Sequence, residues 1–259
     1  MEIIARIHNA YDEKFGVPRQ SGLAEEVIST VVFEPKYRVA EALRGIEDFS
    51  HLWLIWAFDR TERETWSPTV RPPRLGGNKR VGVFATRSPF RPNAIGLSCV
   101  RLIGTEKTAE GIVLKVAGAD LVNGTPIYDI KPYLPYADCK PEATGGFTDH
   151  TEKRTVEVRF SGEASAKLSE KEIRELEAVL KEDPRPAYQD SDREYAFSFG
   201  GKNIRFRVIE GVLEVFGVAV TLTPVSKLRE SFAKGLEMFT DDFMEDGRPP
   251  QIESKRDQL

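Results

Sequence analysis

At 259 residues, 40% of them apolar and 30% charged, the chain can bury a full core as one large domain or two small ones, which excludes disorder of the whole. Its formal net charge of −4 excludes a generally basic nucleic-acid binder, because counterion release rewards local rather than total charge. No run approaches the ~20 apolar residues of a membrane helix.

The opening MEIIARIHNAYDEKFG lacks a basic segment followed by an apolar one, so a cytoplasmic protein is expected. Two cysteines, Cys99 and Cys139, and three histidines leave almost no material for a Cys/His metal site, and no metal is expected.

The first half reads as strands. EIIARIHN, EVISTVVF, HLWLIWAF, VGVFAT, AIGLSCVRLIG and GIVLKVAGADLV are short, β-branched or aromatic, and bounded by Gly, Pro, Asn or Asp. Trp53, Trp56 and Phe58 alternate with aliphatics and read as core; His8 and His51 read as core or edge histidines. Only PKYRVAEALRG predicts a helix, stopped at Gly45. Six strands with so little helix between them predict a mainly antiparallel sheet or barrel over residues 1–140.

LPYADCKPEATGGFTDHTEKR, rich in Pro, Gly and polar residues, is the natural boundary. A smaller α+β domain over 155–221 follows. In it SEKEIRELEAVLKEDP predicts an amphipathic helix with Ser169 and Glu172 as a capping box and Ile173, Leu176, Val179 and Leu180 on one face. EYAFSFGGKNIRFRVIEGVLEVFGVAV predicts a three-stranded meander with turns at Gly200-Gly201 and Glu210-Gly211. Residues 222–259 read as helical and then as a mobile acidic tail.

The common dinucleotide, P-loop, nucleophile-elbow and zinc-protease motifs are absent. Two clusters stand out instead. From Thr65 to Thr105 the chain carries no Asp or Glu, yet places Arg71, Arg74, Lys79, Arg80, Arg87, Arg91 and Arg101 there. Gly76-Gly77 permits a tight turn and the prolines stiffen the arginine-bearing loops, so the guanidinium groups are ordered in advance for phosphate or carboxylate. Arg87 and Arg91, bracketing Pro89 and Phe90, are the expected ligand contacts. The second cluster is ADLVNGTPIYDIKPYLPY, in which Asp129, Lys131 and Tyr133 alternate and so share one face of an extended chain. Those groups either bind polar atoms and move a proton, or form the solvated face of an edge strand. Asp59 and Arg60, where the HLWLIWAF strand ends, are placed to reach a ligand.

RPPRLGGNKRVGVFATRSPFRPNAIGLS together with NGTPIYDIKPYLPYAD resembles the TrmO family of S-adenosylmethionine-dependent tRNA methyltransferases. The similarity extends to FGVPRQSGL, FSHLWLIWAFD, DPRPAYQ and EYAFSFGGKNIRFRV, and covers nearly everything except the tail. The resemblance implies a non-Rossmann β-barrel that binds S-adenosylmethionine (SAM). It also implies methylation of the exocyclic nitrogen of a threonylcarbamoylated adenosine just 3′ of the anticodon, position 37, and a homodimer. It places the cofactor contacts on Gln20, Ser21 and Gly22, on Asp59 and Arg60, on Arg87 and Arg91, and on Asn123, Gly124, Thr125 and Pro126. Asn123 departs from the aspartate that most relatives carry; its amide still accepts one hydrogen bond and also donates.

On that basis Asp129 is expected to take the proton of the acceptor nitrogen, with Lys131 and Tyr133 orienting the base. The alternative role for Asp129 is to bind the amino group of the cofactor. Arg71, Arg74, Lys79 and Arg80 are expected to meet phosphates of the tRNA anticodon arm. Arg185, between two prolines, either joins that grip or staples the helix to the meander. Two rival functions remain open, an RNA-binding module without catalysis and a β-barrel enzyme acting on a small anionic substrate.

Overall fold

The computed structural model describes residues 1–60, 66–72, 79–150, 155–185 and 193–220. Period-two alternation of apolar side chains produces β1 (Ala5–His8), β2 (Ile28–Phe33) and β3 (His51–Ala57). A two-residue ribbon, β4 (Thr69–Val70) with β5 (Val81–Gly82), intervenes before β6 (Ile95–Thr108), β7 (Gly111–Ala117) and β8 (Pro126–Pro132). Six strands hydrogen-bond in the order β1-β2-β7-β6-β3-β8, all antiparallel, and β8 returns to β1 with Ile127 opposite Ala5, which closes the sheet into a barrel. Ile7, Val31, Leu52, Leu54, Trp56, Val100, Leu114, Val116 and Ile127 fill its interior.

VGVFAT is not among the barrel strands. Only Val83 of its second half is buried and Phe84 is exposed, so the run offers no continuous face to a sheet; it pairs briefly with β4 and then coils into a single turn. The sixth place is taken by β8. PKYRVAEALRG likewise forms no α-helix. It makes two short 3-10 turns, Pro35–Tyr37 and Ala40–Leu43, separated by an extended Val39, because none of its turn residues is buried and no packing offsets the cost of helix nucleation.

Beyond a four-residue α1 (Pro135–Asp138) comes a second sheet built from β9 (Glu157–Phe160), β10 (Tyr195–Phe199), β11 (Lys202–Ile209) and β12 (Val212–Val220), in the order β10-β11-β12-β9. The meander β10 to β12 turns where expected, with Gly200, Gly201, Glu210 and Gly211 all at left-handed φ. The sequence pattern missed β9, which pairs in parallel with β12 across a long separation. Two helices connect it to β10. The short α2 (Gly162–Ser165) precedes α3 (Glu170–Lys181), which carries the Ser169/Glu172 capping box and buries Leu176, Val179 and Leu180.

The long β1 to β2 connection packs on this second sheet. Tyr11, Ala24 and Val27 share a core with Phe197, Phe199, Leu176 and Leu213. Gly200 N–H donates to Ala10 O at 2.8 Å, and Gly201 N–H to Asp12 Oδ2 at 2.8 Å. Gly16, at φ +90°, lies so close to Phe197 that a Cβ would come within 2.6 Å of the ring. Residues 9–27 therefore leave the barrel, dock on the second core, and return.

Candidate functional site

Three adjacent strands present one outward face. In β3 the outward residues are His51, Trp53 and Ile55; in register beside them stand Leu97 and Cys99 of β6 on one side, and Asp129 and Lys131 of β8 on the other. Leu97 is 53% exposed, so the middle of this face is an uncovered apolar strip. At its β8 edge Lys131 Nζ meets Asp129 Oδ2 at 2.9 Å, and Asp129 Oδ1 accepts from Ile130 N–H at 2.9 Å. Just past β8, the Tyr133 ring packs against Trp53 and His51, with centroids 5.7 and 6.1 Å apart. Desolvation among these neighbours pushes the Tyr133 hydroxyl above its ordinary value. Trp53 in turn donates its indole N–H to Asp138 Oδ2 at 3.0 Å.

At the β6 edge the Gln20-Ser21-Gly22 segment arrives on the long connection. After β7 ends at Ala117, Cys99 N–H takes Ser21 Oγ as acceptor at 3.2 Å, and Gly22 N–H donates to Gly118 O at 2.8 Å. Gln20 Oε1 accepts from the Arg87 guanidinium. The structure thus gathers Gln20, Ser21, Gly22 and Arg87 at one edge of a face whose other edge holds Asp129 and Lys131.

Beneath that edge lies a carboxylate that the sequence did not single out. Ser98 points into the barrel, accepts from Trp56 Nε1 at 2.9 Å and donates to Asp120 Oδ1 at 2.5 Å. The backbone N–H of Ser21 and the charge of Arg87 also favour ionised Asp120, but burial dominates and pushes its carboxyl above the usual range. Trp56 sits flat on Gly96, where a Cβ would fall 2.2 Å from the indole, so Gly96 is what lets this chain of three side chains form. The only sequence signal for it was an acid in ADLV, directly after a buried strand, where an aspartate needs partners.

Arg91 behaves unlike Arg87. Its Nη1 donates to Thr86 O at 2.9 Å and Ser88 O at 3.3 Å, which clasps the loop that carries Arg87. Arg60 also makes local bonds, to Asn123 O at 2.8 Å and Asp12 O at 3.3 Å. The Asn123-Gly124-Thr125-Pro126 turn is packed from behind: Asn123 Oδ1 accepts from Asn9 N–H, Gly124 O accepts from Arg6, and Thr125 and Pro126 are buried. Asp59 is exposed beside Arg60.

Arg71, Lys79 and Arg80 are exposed around the β4-β5 ribbon, Arg80 touching Thr69 Oγ1 at 3.2 Å. Arg74 and Gly76-Gly77 lie outside the described residues. Arg185, expected either to join the RNA grip or to staple the helix to the meander, is turned inward. Its Nε and Nη2 each lie 2.8 Å from a separate oxygen of Asp183, and both side chains are nearly buried, because Asp183 at φ 44° turns the chain back on itself. Arg19 donates to the carbonyls of Asp183 and Arg185 at 3.1 and 3.0 Å, tying this clamp to the residue next to Gln20.

A separate open groove between residues 40–48 and Thr105 is lined by Glu41, Glu47 and Asp48 beside Arg44, an acidic lining ill suited to an anionic ligand. Among the described residues no helix is long and apolar enough to cross a membrane, and no group of three or more His, Cys, Asp or Glu is placed to hold a metal ion.

Residues 6–139 match the family model described as tRNA-methyltransferase O N-terminal domain, and residues 153–221 match that described as TrmO C-terminal domain. The chain is 42% identical over 226 residues to tRNA (adenine(37)-N6)-methyltransferase of Escherichia coli strain K12, a span covering 84% of this chain and 96% of that protein. It is 45% identical over 166 residues to the protein of the same name from Eikenella corrodens, covering 63% of this chain and 93% of the relative. A crystal structure of TrmO from Pseudomonas aeruginosa superposes with a TM-score of 0.68 at 33% identity, over 84% of this chain and 95% of that one.

Proposed function

This chain belongs to the tRNA-methyltransferase O family, and from that premise we propose that it is a SAM-dependent tRNA (adenine-N6)-methyltransferase acting at position 37. The observation that carries the proposal is the 42% identity to the Escherichia coli enzyme over 96% of its length. We further infer that the adenosine is threonylcarbamoylated, that the protein works as a homodimer in the cytoplasm, and that residues 1–140 and 155–221 act as barrel and accessory domains.

The donor set on the outward face suits the cofactor. An exposed guanidinium, Arg87, offers charge-assisted hydrogen bonds to a carboxylate, and the strip of Trp53, Ile55 and Leu97 offers apolar contact to a purine. Gln20, Ser21, Gly22, Asp59, Arg60 and the turn at Asn123, Gly124, Thr125 and Pro126 complete the proposed cofactor site, with Arg91 holding the Arg87 loop in shape. SAM supplies an electrophilic methyl group on a sulfonium.

Methyl transfer is a direct displacement, so in-line positioning of donor and acceptor supplies much of the rate. The acceptor nitrogen is conjugated with the purine and, when threonylcarbamoylated, with a carbonyl, which makes it a poor nucleophile. Asp129 accepts its proton as the new N–C bond forms. Lys131, 2.9 Å from Asp129, holds that carboxylate in place at the edge of the face, and Tyr133 orients the base.

The test is methyl transfer to tRNA transcripts with and without the threonylcarbamoyl group, alongside calorimetric titration of SAM in the presence and absence of tRNA. Methylation confined to position 37 of the modified tRNA supports the full proposal. Equal methylation of both tRNAs rejects the substrate requirement. Cofactor turnover insensitive to tRNA rejects the activity.

A further inference from the structure

Two large aromatic rings stand out in solvent at the β4-β5 ribbon. Trp66 is 49% exposed and Phe84 71% exposed, and their rings stack at 6.1 Å between centroids and 26° between planes. Burying neither ring gains the barrel nothing, and exposing both costs apolar hydration, so the pair calls for a partner. The ribbon fixes them: Thr69 pairs with Gly82, Val70 pairs with Val81, and Val83 N–H donates to Pro68 O at 3.0 Å. On one side the Arg91 guanidinium lies 5.9 Å from the Phe84 ring centre. Arg71, Lys79 and Arg80 are exposed next to the strands of the same ribbon, Arg80 reaching Thr69 Oγ1 at 3.2 Å, within a stretch of sequence that holds no carboxylate from Thr65 to Thr105.

We propose that Trp66 and Phe84 form a stacking platform for an unpaired base of the tRNA anticodon loop, with Arg71, Lys79 and Arg80 meeting the phosphates on either side of it. This rests on the tRNA-methyltransferase function proposed above and deepens it. Every nucleobase has a π-face, so rigid, cation-flanked rings bind a splayed base without reading its identity, whereas a stacked duplex offers no such face. The surrounding charge favours a polyanion over an apolar protein surface. A loop enzyme must hold its target unstacked, and a second base on this platform fixes the loop while the first is presented to the outward face.

The experiment measures binding of an anticodon stem-loop RNA, and of a fully paired duplex of the same length, across a salt series, together with SAM affinity and sedimentation. Trp66→Ala and Phe84→Ala are each expected to weaken stem-loop binding about 5- to 100-fold, the range for one lost base stack, with little effect on duplex binding. The log–log salt slope should stay at the wild-type value, because stacking releases no counterions; Arg80→Ala instead lowers it by about one unit. Phe84→Trp should retain stem-loop affinity and Phe84→Leu should lose it. SAM affinity and sedimentation should be unchanged in all of them.

Phe84→Leu binding RNA as wild type does would overturn the platform, since apolar area alone would then suffice. Dissociation of a dimer in Phe84→Leu would assign the rings to a protein interface and overturn it too. If wild-type protein fails to bind the stem-loop at all, the tRNA function itself falls; if wild type binds and the aromatic variants bind equally well, only the platform does.

Discussion

Ser98 donates its hydroxyl to Asp120 at 2.5 Å while accepting the buried indole N–H of Trp56, so one small side chain links the barrel core to the carboxylate beneath the Gln20-Ser21 segment. The arrangement sets stability against function. Burial raises the Asp120 carboxyl above its ordinary value of 3.8, so the folded chain binds this proton more tightly than the unfolded chain does. Its ionisation therefore costs stability at neutral pH. That cost fades as pH falls through the raised value and is gone below 3.8.

Asp120→Asn keeps an acceptor for Ser98 and removes the charge. Its thermal midpoint at neutral pH should equal or exceed that of wild type, and its stability should lack the wild-type gain on mild acidification. SAM affinity should fall about tenfold, because the Ser21 N–H and Arg87 lose the carboxylate they face. Paired scanning calorimetry and ligand titration read both effects; a variant that is less stable at neutral pH would contradict the assignment.

The two arginines expected to act alike should separate. Arg87→Ala removes an exposed guanidinium that hydrogen-bonds Gln20 and faces Asp120, and SAM affinity should drop about tenfold with the melting temperature unchanged. Arg91→Ala removes two bonds to the carbonyls of its own loop and should lower thermal stability as well as affinity. Equal melting temperatures for the two variants would reject the clasp.

The physics of these elements explains what could be read from the chain. HLWLIWAF announced a strand, and Trp56 was rightly read as core, but pleat geometry sends Trp53, read with it as core, to the outward face; the Ser169/Glu172 spacing announced a helix start because capping is local. β9 was not legible: its partner β12 lies more than 50 residues away, and a parallel pairing leaves no turn signature. VGVFAT misled for the opposite reason, since β-branched and aromatic residues favour a strand only where a second face buries them, and Phe84 has none. In the site, single motifs revealed individual residues, yet the outward face is assembled from β3, β6 and β8 through register alone. Asp120 and Ser98 meet only once the strands align.

Asp129→Asn preserves shape and removes proton acceptance. With Lys131 left facing a neutral amide, single-turnover methylation should slow about a hundredfold or more while tRNA affinity stays near wild type. A rate within a few fold of wild type would remove Asp129 from proton transfer, and a matching rise in the SAM dissociation constant would move it to the cofactor's amino group.

Arg185 provides the control for every phosphate contact proposed here. Burial opposes ionisation of Asp183, but the hydrogen bonds and charge of Arg185 outweigh it and hold the carboxyl below its usual range. A depressed carboxylate contributes stability above its unfolded value, and that contribution is lost as pH falls through the folded one. Arg185→Ala strands a nearly buried carboxylate at a left-handed backbone position. It should cost about 3 kcal/mol at neutral pH, the scale of breaking a buried pair from one side. The difference from wild type should shrink as pH falls and the wild-type Asp183 carboxylate takes up its proton. Because the guanidinium is engaged with Asp183, the tRNA salt slope should match wild type, whereas Lys79→Ala and Arg80→Ala should each flatten it by about one unit. Chemical denaturation at pH 7 and pH 3, with tRNA titrations at several salt concentrations, separates the two roles. A flattened slope for Arg185→Ala with unchanged stability would show that the clamp opens and that Arg185 grips RNA after all.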